Sequence, residues 1–185
     1  SNPHYFYGID LTANYKGFDF RCFLQGVLKH DFWPGGSSYF WGVRGGYSKW
    51  YTIGLEQHNN YFRDQPIGLA GYELPVNLDS YYPRPITSPD SGGSSFGAKN
   101  QQTQSRYMQN AGYMRLKNLQ LGYSLPKSVV EKVGISNCRV FVSGENLLTF
   151  TSLSSIFDPE TCVGGWGGNA YPLSSTWSFG LSVTF

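Results

Sequence analysis

The chain has 185 residues and a net charge of +2 without any basic run that would follow a nucleic-acid backbone, so no nucleic acid is predicted as a partner. Charged residues make up only 14% of the sequence, aromatic residues make up 17% and there are 23 glycines, a balance that favours an all-β protein. No apolar run reaches the roughly 18 residues of a membrane-spanning helix, so any contact with lipid would have to be made by strands.

The first predicted element is a β-hairpin with strands over about residues 5–15 and 18–27. In both strands large apolar residues alternate with small or polar ones, and the turn between them is Lys16-Gly17. A two-residue turn that ends in glycine between two alternating runs is a strong hairpin signal. The charged residues on the polar face of the hairpin are Asp10, Asp19 and Arg21. In a barrel the polar face lines the lumen, so these charges are predicted to point inward.

A long loop is predicted over residues 28–110, where glycine, proline, asparagine and aromatic residues are frequent. Two patches in it, 39–43 and 47–53, are weakly strand-like. About 80 residues of this kind are rare in a compact soluble domain, whereas outer-membrane barrels carry long loops on their outer side. A second loop is predicted over residues 151–173.

Aromatic rings in these two loops are the best candidates for contact with a substrate, because a flat ring offers apolar surface to sugar C–H groups. The candidates are Trp33, Trp41, Trp50, Tyr51, Trp166 and Tyr171. The alternative is that these rings pack the long loops against each other.

The third strand is predicted over residues 112–125, and its charges conflict with its apolar face. Apolar residues alternate from Leu119 onward, but the same register carried backwards places Arg115 and Lys117 on the apolar face. Either these charges lie beyond the bilayer, or a β-bulge near Lys117 switches the faces. We favour the bulge, because it turns both cations to the polar face.

Two more strands follow. A short helical connector, residues 126–136, leads to a strand over 137–150 whose polar face carries Arg139 and Glu145. The last strand, 176–185, has a large apolar residue at every odd position, and at about 3.3 Å per residue it is long enough to cross the apolar band of about 25 Å in an outer-membrane barrel. These apolar residues are Trp177, Phe179, Leu181, Val183 and Phe185.

The connections between the five strands alternate in length. They are short at 16–17 and 126–136, and long at 28–110 and 151–173. Outer-membrane barrels have short periplasmic turns and long external loops, so the pattern predicts an antiparallel transmembrane β-barrel segment with long extracellular loops. Eight strands are about the minimum for such a barrel, so we expect the last strand to pair with a strand outside this sequence.

No catalytic, cofactor or metal site is predicted, and we expect that the chain is not an enzyme. The histidines are isolated and no serine lies in a nucleophile-elbow motif. Cys22, Cys138 and Cys162 lie far apart without the spacing of metal ligands. Asp158 and Glu160 offer oxygen ligands to Ca²⁺, but two carboxylates without an Asx-rich loop are weak evidence for a calcium site.

Four ordered motifs resemble the C-terminal end of the SusC/RagA-type TonB-dependent transporters. They are YMRLKNLQLGYSLP at 113–126, RVFVSGENLLTF at 139–150, DPE at 158–160 and FGLSVTF at 179–185. Their order along the chain is the order in that family. The motifs cover about 75 residues, and most of the loop 28–110 has no recognisable counterpart.

The resemblance implies a barrel of 22 strands with an internal plug, in the cell outer membrane of a Gram-negative bacterium. The plug and the TonB-contacting segment are not found here, so the chain is expected to be a C-terminal portion, and its last strand resembles the C-terminal assembly signal of such barrels. The implied partners are outer-membrane lipid, the rest of the barrel, TonB through the missing N-terminal part and a SusD-like lipoprotein. The implied function is import of oligosaccharides or peptides. The alternative, suggested by the Trp-rich loops, is a soluble all-β carbohydrate-binding module.

Overall fold

A computed structural model describes residues 3–35, 37–42, 54–69, 71–84, 102–163 and 170–185. The chain divides into two compact units, and each is described on its own. The first, the wall unit, consists of Ser1–Phe32, Gln109–Thr161 and Tyr171–Phe185. The second, the loop unit, consists of Trp33–Met108 and Cys162–Ala170.

Strands dominate the described residues. They are β1 (Phe6–Tyr15), β2 (Phe18–Val27), β3 (Asp31–Phe32), β4 (Ile67–Leu69), β5 (Tyr72–Leu74), β6 (Gln109–Asn110), β7 (Tyr113–Ser124), β8 (Asn137–Thr151) and β9 (Thr176–Thr184). The helical segments are α1 (Ser38–Trp41), α2 (Lys127–Val130) and the 3₁₀ turns Glu56–Asn59, Ser105–Tyr107 and Glu131–Val133. Within the described part of the chain, no helix has the length and apolarity needed to cross a membrane.

The wall unit is built on a five-stranded antiparallel sheet in the order β1-β2-β7-β8-β9. Each of its strands begins and ends within about a residue of a stretch in which the sequence alternates. The β1–β2 turn places Lys16 and Gly17 at positive φ, 46° and 87°, as a tight hairpin turn requires. The first and last strands of the chain, β1 and β9, are the two edge strands, so the described sheet is open. Closure into a ring of 22 strands stays a prediction.

The predicted bulge in β7 is confirmed. Asn118 lies opposite Phe23, but Leu116 lies opposite Leu24, so one residue of β7, Lys117, has no partner of its own. The register also shifts by one residue against β8, but there Lys117 lies opposite two residues, Asn146 and Leu147. Because side chains alternate with a period of two, an extra residue moves everything beyond it to the other face.

The loop unit has a core of aromatic rings. Phe40, Trp41, Tyr82 and Tyr107 are all buried, and their rings meet edge to face. The weakly strand-like patch at 39–43 was predicted wrongly, because α1 occupies most of it. The Ser37 hydroxyl accepts a hydrogen bond from the Phe40 N–H (3.3 Å), which caps this helical turn. The second patch, 47–53, lies outside the described residues.

Candidate functional site

The polar face of the sheet carries two ion pairs between strands. Arg21 on β2 donates from Nε (3.1 Å) and Nη2 (2.6 Å) to the two carboxylate oxygens of Asp10 on β1. Arg139 on β8 donates in the same bidentate way to Asp19 on β2, at 2.9 and 2.5 Å. The pairing register places all four residues, and the exposed Glu145, on one face. The charged residues that were predicted to face the lumen therefore share one face of the sheet. Whether this face borders the lumen depends on the barrel as a whole.

The Asp19–Arg139 pair spans a whole strand. Asp19 on β2 lies opposite Gly122 of β7, whereas Arg139 on β8 lies opposite Ser124, so the pair crosses β7 diagonally over Gly122. A Cβ atom at Gly122 would clash with both charged groups, so glycine makes the bridge across β7 possible. The Arg139 guanidinium also lies 4.8 Å from the ring centre of Phe141, which covers Gly180 of β9. Contacts from the Asp19–Arg139 ion pair through the Phe141 ring to Gly180 thus extend across β2, β7, β8 and β9.

The opposite face of the sheet is apolar and uncovered. Leu11 is 52% exposed, Leu181 is 65% exposed and Phe179 is 83% exposed. The described part of the chain places no second layer over this face. The predicted assembly-signal residues belong to it, and all are exposed: Trp177, Phe179, Leu181, Val183 and Phe185.

A third ionic cluster lies on the polar face at the bulge, and the sequence analysis missed it. Arg115 donates from Nη2 to Asp158 (2.7 Å), from Nη1 to Glu160 (2.8 Å) and from Nε to the Thr149 hydroxyl (2.7 Å). Lys117 donates to both carboxylate oxygens of Glu160, at 3.1 and 3.0 Å. The Arg115 and Asp158 side chains are only 4% and 7% exposed. We call Arg115, Lys117, Asp158 and Glu160 the clasp.

Within the clasp, electrostatics favour the ionised form of Asp158. Burial alone would raise the pKa of Asp158, but hydrogen bonds from Arg115 and from the Glu160 backbone N–H outweigh it, so that the pKa lies below its usual value. Two cations face two anions, so the cluster is neutral as a whole. A buried ion pair is tolerated only when its remaining hydrogen-bonding groups are satisfied, and here Thr149 and backbone N–H groups satisfy them.

The clasp also bears on the idea of a calcium site. The carboxylates of Asp158 and Glu160, which were weighed as Ca²⁺ ligands, are engaged by Arg115 and Lys117. Among the described residues, no group of three or more His, Cys, Asp and Glu side chains is placed to hold a metal ion. The predicted bulge held a partial signal for the clasp, because it turns two cations to the polar face, where they need counter-charges, but it did not indicate which residues supply them.

The candidate loop aromatics have different environments. Tyr171 is 86% exposed and offers its ring to solvent. Trp41 is 6% exposed, packs on Phe40 and Tyr107, and donates from Nε1 to the Pro34 carbonyl (3.2 Å), which favours a packing role over contact with substrate. Trp33 is half-buried with its ring 6.0 Å from that of Trp41. The remaining candidates, Trp50, Tyr51 and Trp166, lie outside the described residues.

Two curated proteins of Formosa agariphila are similar to the chain over almost its whole length. TonB-dependent receptor P3 is 28% identical over 194 residues, which cover 99% of this chain and 16% of the receptor. TonB-dependent receptor P26 is 25% identical over 195 residues, which cover 99% of this chain and 17% of the receptor. The chain thus spans about a sixth of their length. No family model matches it.

Solved structures show the same fold. The RagAB peptide importer in its open-open state matches 100% of this chain and 17% of its own, with a TM-score of 0.64 and 24% identity. The closed-closed state matches with a TM-score of 0.63 and 23% identity. The resemblance to the SusC/RagA-type TonB-dependent transporters is confirmed. The similarity covers the four SusC/RagA-like motifs and also the long loop 28–110, which contains none of them.

Proposed function

We propose that the chain is part of an outer-membrane transporter of a Gram-negative bacterium that imports oligosaccharides or peptides, with energy relayed through TonB and with a SusD-like surface lipoprotein as partner. The observation that carries this proposal is the two-faced sheet. One face is apolar and uncovered, and the other bears bidentate ion pairs. This is the division of a transmembrane barrel wall between lipid and a water-filled interior.

The energetics support lipid on the apolar face. An Arg or Lys on the lipid side of a barrel costs about 2–4 kcal/mol near the bilayer midplane, and the wall strands carry their charges on the other face. A soluble carbohydrate-binding module would instead have to bury Leu181 and Phe179, which are 65% and 83% exposed. Contiguous exposed apolar surface of this kind marks a contact with a membrane or a partner.

The open edges support a larger barrel. In lipid, an unpaired strand edge leaves N–H and C=O groups without partners, at several kcal/mol each. Strands β1 and β9 each have one neighbour in the described sheet. We propose that further strands of the whole transporter pair with both edges, and that the alternating apolar residues of β9 are read during barrel assembly.

The proposed substrate and partner are inferred from the similar solved proteins and from the aromatic residues of the loops. The similar solved proteins are described as a peptide importer. Tyr171 provides an exposed ring of the kind that contacts sugars or apolar peptide side chains, and Trp33 is half-buried. We propose these two residues as the described substrate contacts, and both peptides and oligosaccharides belong in the test.

The test is uptake by cells that express the full-length transporter containing this chain. Labelled oligopeptides and labelled oligosaccharides are supplied separately, with and without a protonophore that collapses the energy source of TonB. We expect one class to accumulate, and the accumulation to stop with the protonophore and in cells without TonB. Fractionation should place the protein in the outer membrane. Recovery as a monodisperse soluble protein, or accumulation that ignores the protonophore, would overturn the proposal.

A further inference from the structure

The segment of residues 152–161, which follows β8, folds onto the polar face of the wall. We call this segment the strap. Its Phe157 N–H donates to the Ser154 carbonyl (3.0 Å), and its Thr161 N–H donates to the Asp158 carbonyl (3.2 Å), so it is a pair of tight turns rather than an extended loop. The strap belongs to the same compact unit as the sheet.

Two kinds of contact hold the strap. The clasp joins its Asp158 and Glu160 to Arg115 and Lys117 of β7. Apolar packing supplies the second contact, because Leu153 and Phe157 are each 6% exposed and the Phe157 ring meets that of Phe32 edge to face at 5.2 Å. Charge and packing therefore hold the segment together, at positions spread from Leu153 to Glu160.

The bulge in β7 is what makes the clasp possible. Without the extra residue at Lys117, Arg115 would fall on the apolar face, where the described wall strands carry no carboxylate. With it, Arg115 lies opposite Gln25 and Thr149 on the polar face, within reach of the strap. The bulge thus positions Arg115 to bind Asp158 and Glu160, which lie 43 and 45 residues further along the chain.

Moving the strap away from the wall would separate charges that are now buried. The Arg115–Asp158 pair has side-chain exposures of 4% and 7%, whereas the Arg21–Asp10 pair on the same face has 57% and 42%. A buried charge that loses its partner pays the full desolvation penalty, which an exposed charge does not.

We propose that the strap is a fixed ledge on the inner wall of the transporter, which keeps its position through the transport cycle, and that Arg115 is its positioning residue. This inference rests on the proposed function, because it takes the polar face to be the lumen. The ledge narrows the lumen permanently on this side. Opening and closing are then left to parts of the transporter other than residues 152–161.

The test is a distance measurement in the purified full-length transporter in lipid nanodiscs. Cys22, Cys138 and Cys162 are replaced by alanine, and spin labels are attached through Ser155→Cys on the strap and Thr12→Cys on β1, both exposed positions. We expect one narrow distance distribution. It should not change when a tryptic digest of casein or a mixture of maltooligosaccharides is added in excess. A second distance population in any of these states would overturn the fixed ledge.

Arg115→Met is the critical variant, and Arg21→Met is its matched control on the same face. We expect Arg115→Met to broaden the distance distribution and to increase the mobility of the label at position 155, while Arg21→Met leaves both unchanged. If Arg115→Met does not insert, Asp158→Asn, which preserves shape, takes its place with the same expectation. A narrow distribution in the inserted variant would overturn the role of Arg115.

The measurement is independent of uptake. A transporter that imports nothing would still report the strap distance, so failure of the proposed function and failure of the ledge are distinguishable. A strap that moves while uptake stays normal would contradict the ledge alone.

Discussion

Two ionic clusters on the same face of the same sheet differ in almost every physical respect. Arg21 and Asp10 form a bidentate pair that is about half exposed, between neighbouring strands joined by a two-residue turn. Arg115 and Asp158 are almost fully buried, and the strap that brings Asp158 is far away in sequence. Nearly equal N···O distances, 2.6 and 2.7 Å, therefore do not mean equal energy. The degree of burial decides which ion pair contributes strongly to the stability of the fold around it.

We expect the largest effect from Arg115→Met. It leaves the Asp158 carboxylate buried without its main partner, so we expect the free energy of opening of the strap to fall by about 3–5 kcal/mol. Hydrogen exchange followed by mass spectrometry on a peptide that covers 152–161 measures it. Protection that stays at the wild-type level would show that apolar packing, rather than the clasp, holds the strap.

The next largest effect is expected from a charge placed on the apolar face of β8 rather than on its polar face. Val142 lies on the apolar face, opposite Leu121 and Phe179, and Ser143 lies on the polar face. We expect Val142→Arg to destabilise the barrel by about 2–4 kcal/mol in lipid and Ser143→Arg to have a much smaller effect. Urea unfolding in lipid vesicles gives both values. Equal costs would mean that the faces are assigned wrongly.

The bridge over Gly122 is intermediate between the two clusters, because its side chains are 25% and 31% exposed. We expect Gly122→Ala to push Asp19 and Arg139 apart and to destabilise the barrel by about 1 kcal/mol or less. In the Gly122→Ala background, Arg139→Met should then add almost nothing. Full additivity of the two substitutions in urea unfolding would show that the glycine does not serve the pair.

The exposed Arg21–Asp10 pair should contribute least to the stability of the barrel. We expect Arg21→Met to change the unfolding midpoint in urea little, because a solvent-exposed pair gains little over hydrated ions. Conservative replacement with Arg21→Lys serves as the control, since it keeps the charge but loses the bidentate geometry. A large loss in Arg21→Met alone would mean that an element of the whole transporter covers this pair.

Acid provides a test without mutation. The pKa of Asp158 is lowered in the folded protein, so its contribution to stability is present above its ordinary unfolded pKa and is lost as the pH falls through the lowered folded value. The groups that face it are Arg115, Lys117, Glu160 and Tyr113. We expect strap protection in hydrogen exchange to be constant between pH 5 and pH 8 and to fall only below about pH 4. Loss of protection near pH 6 would contradict the role of Asp158.

Much of the wall could be predicted from the sequence. The alternation in β1, β2, β8 and β9 identified the strands and their faces, because a period of two is a local property of the extended chain. Even the bulge at Lys117 followed from a conflict within ten residues, between the cations and the apolar face. The loop unit was less predictable, since α1 forms at 38–41 where the sequence is weakly strand-like.

The clasp and the loop core were beyond local reasoning. Asp158 and Glu160 were weighed as Ca²⁺ ligands because carboxylates offer oxygen ligands. Trp41 stood beside Tyr171 as an equal candidate for substrate contact. Their surroundings depend on where the loops return in space. The structure separates them, with Trp41 6% exposed and Tyr171 86% exposed.

The sequence by itself determined which residues form strands, which face of each strand is apolar and where one face changes sides, because backbone geometry ties these properties to the nearest few residues. Only the tertiary structure decided that Arg115 meets Asp158, that Asp19 reaches Arg139 over Gly122, and that one cluster is buried while another is open to solvent. Those properties depend on the path of the chain between residues up to 120 positions apart. Burial, which sets the energy of each ion pair, is a property of the fold rather than of the pair.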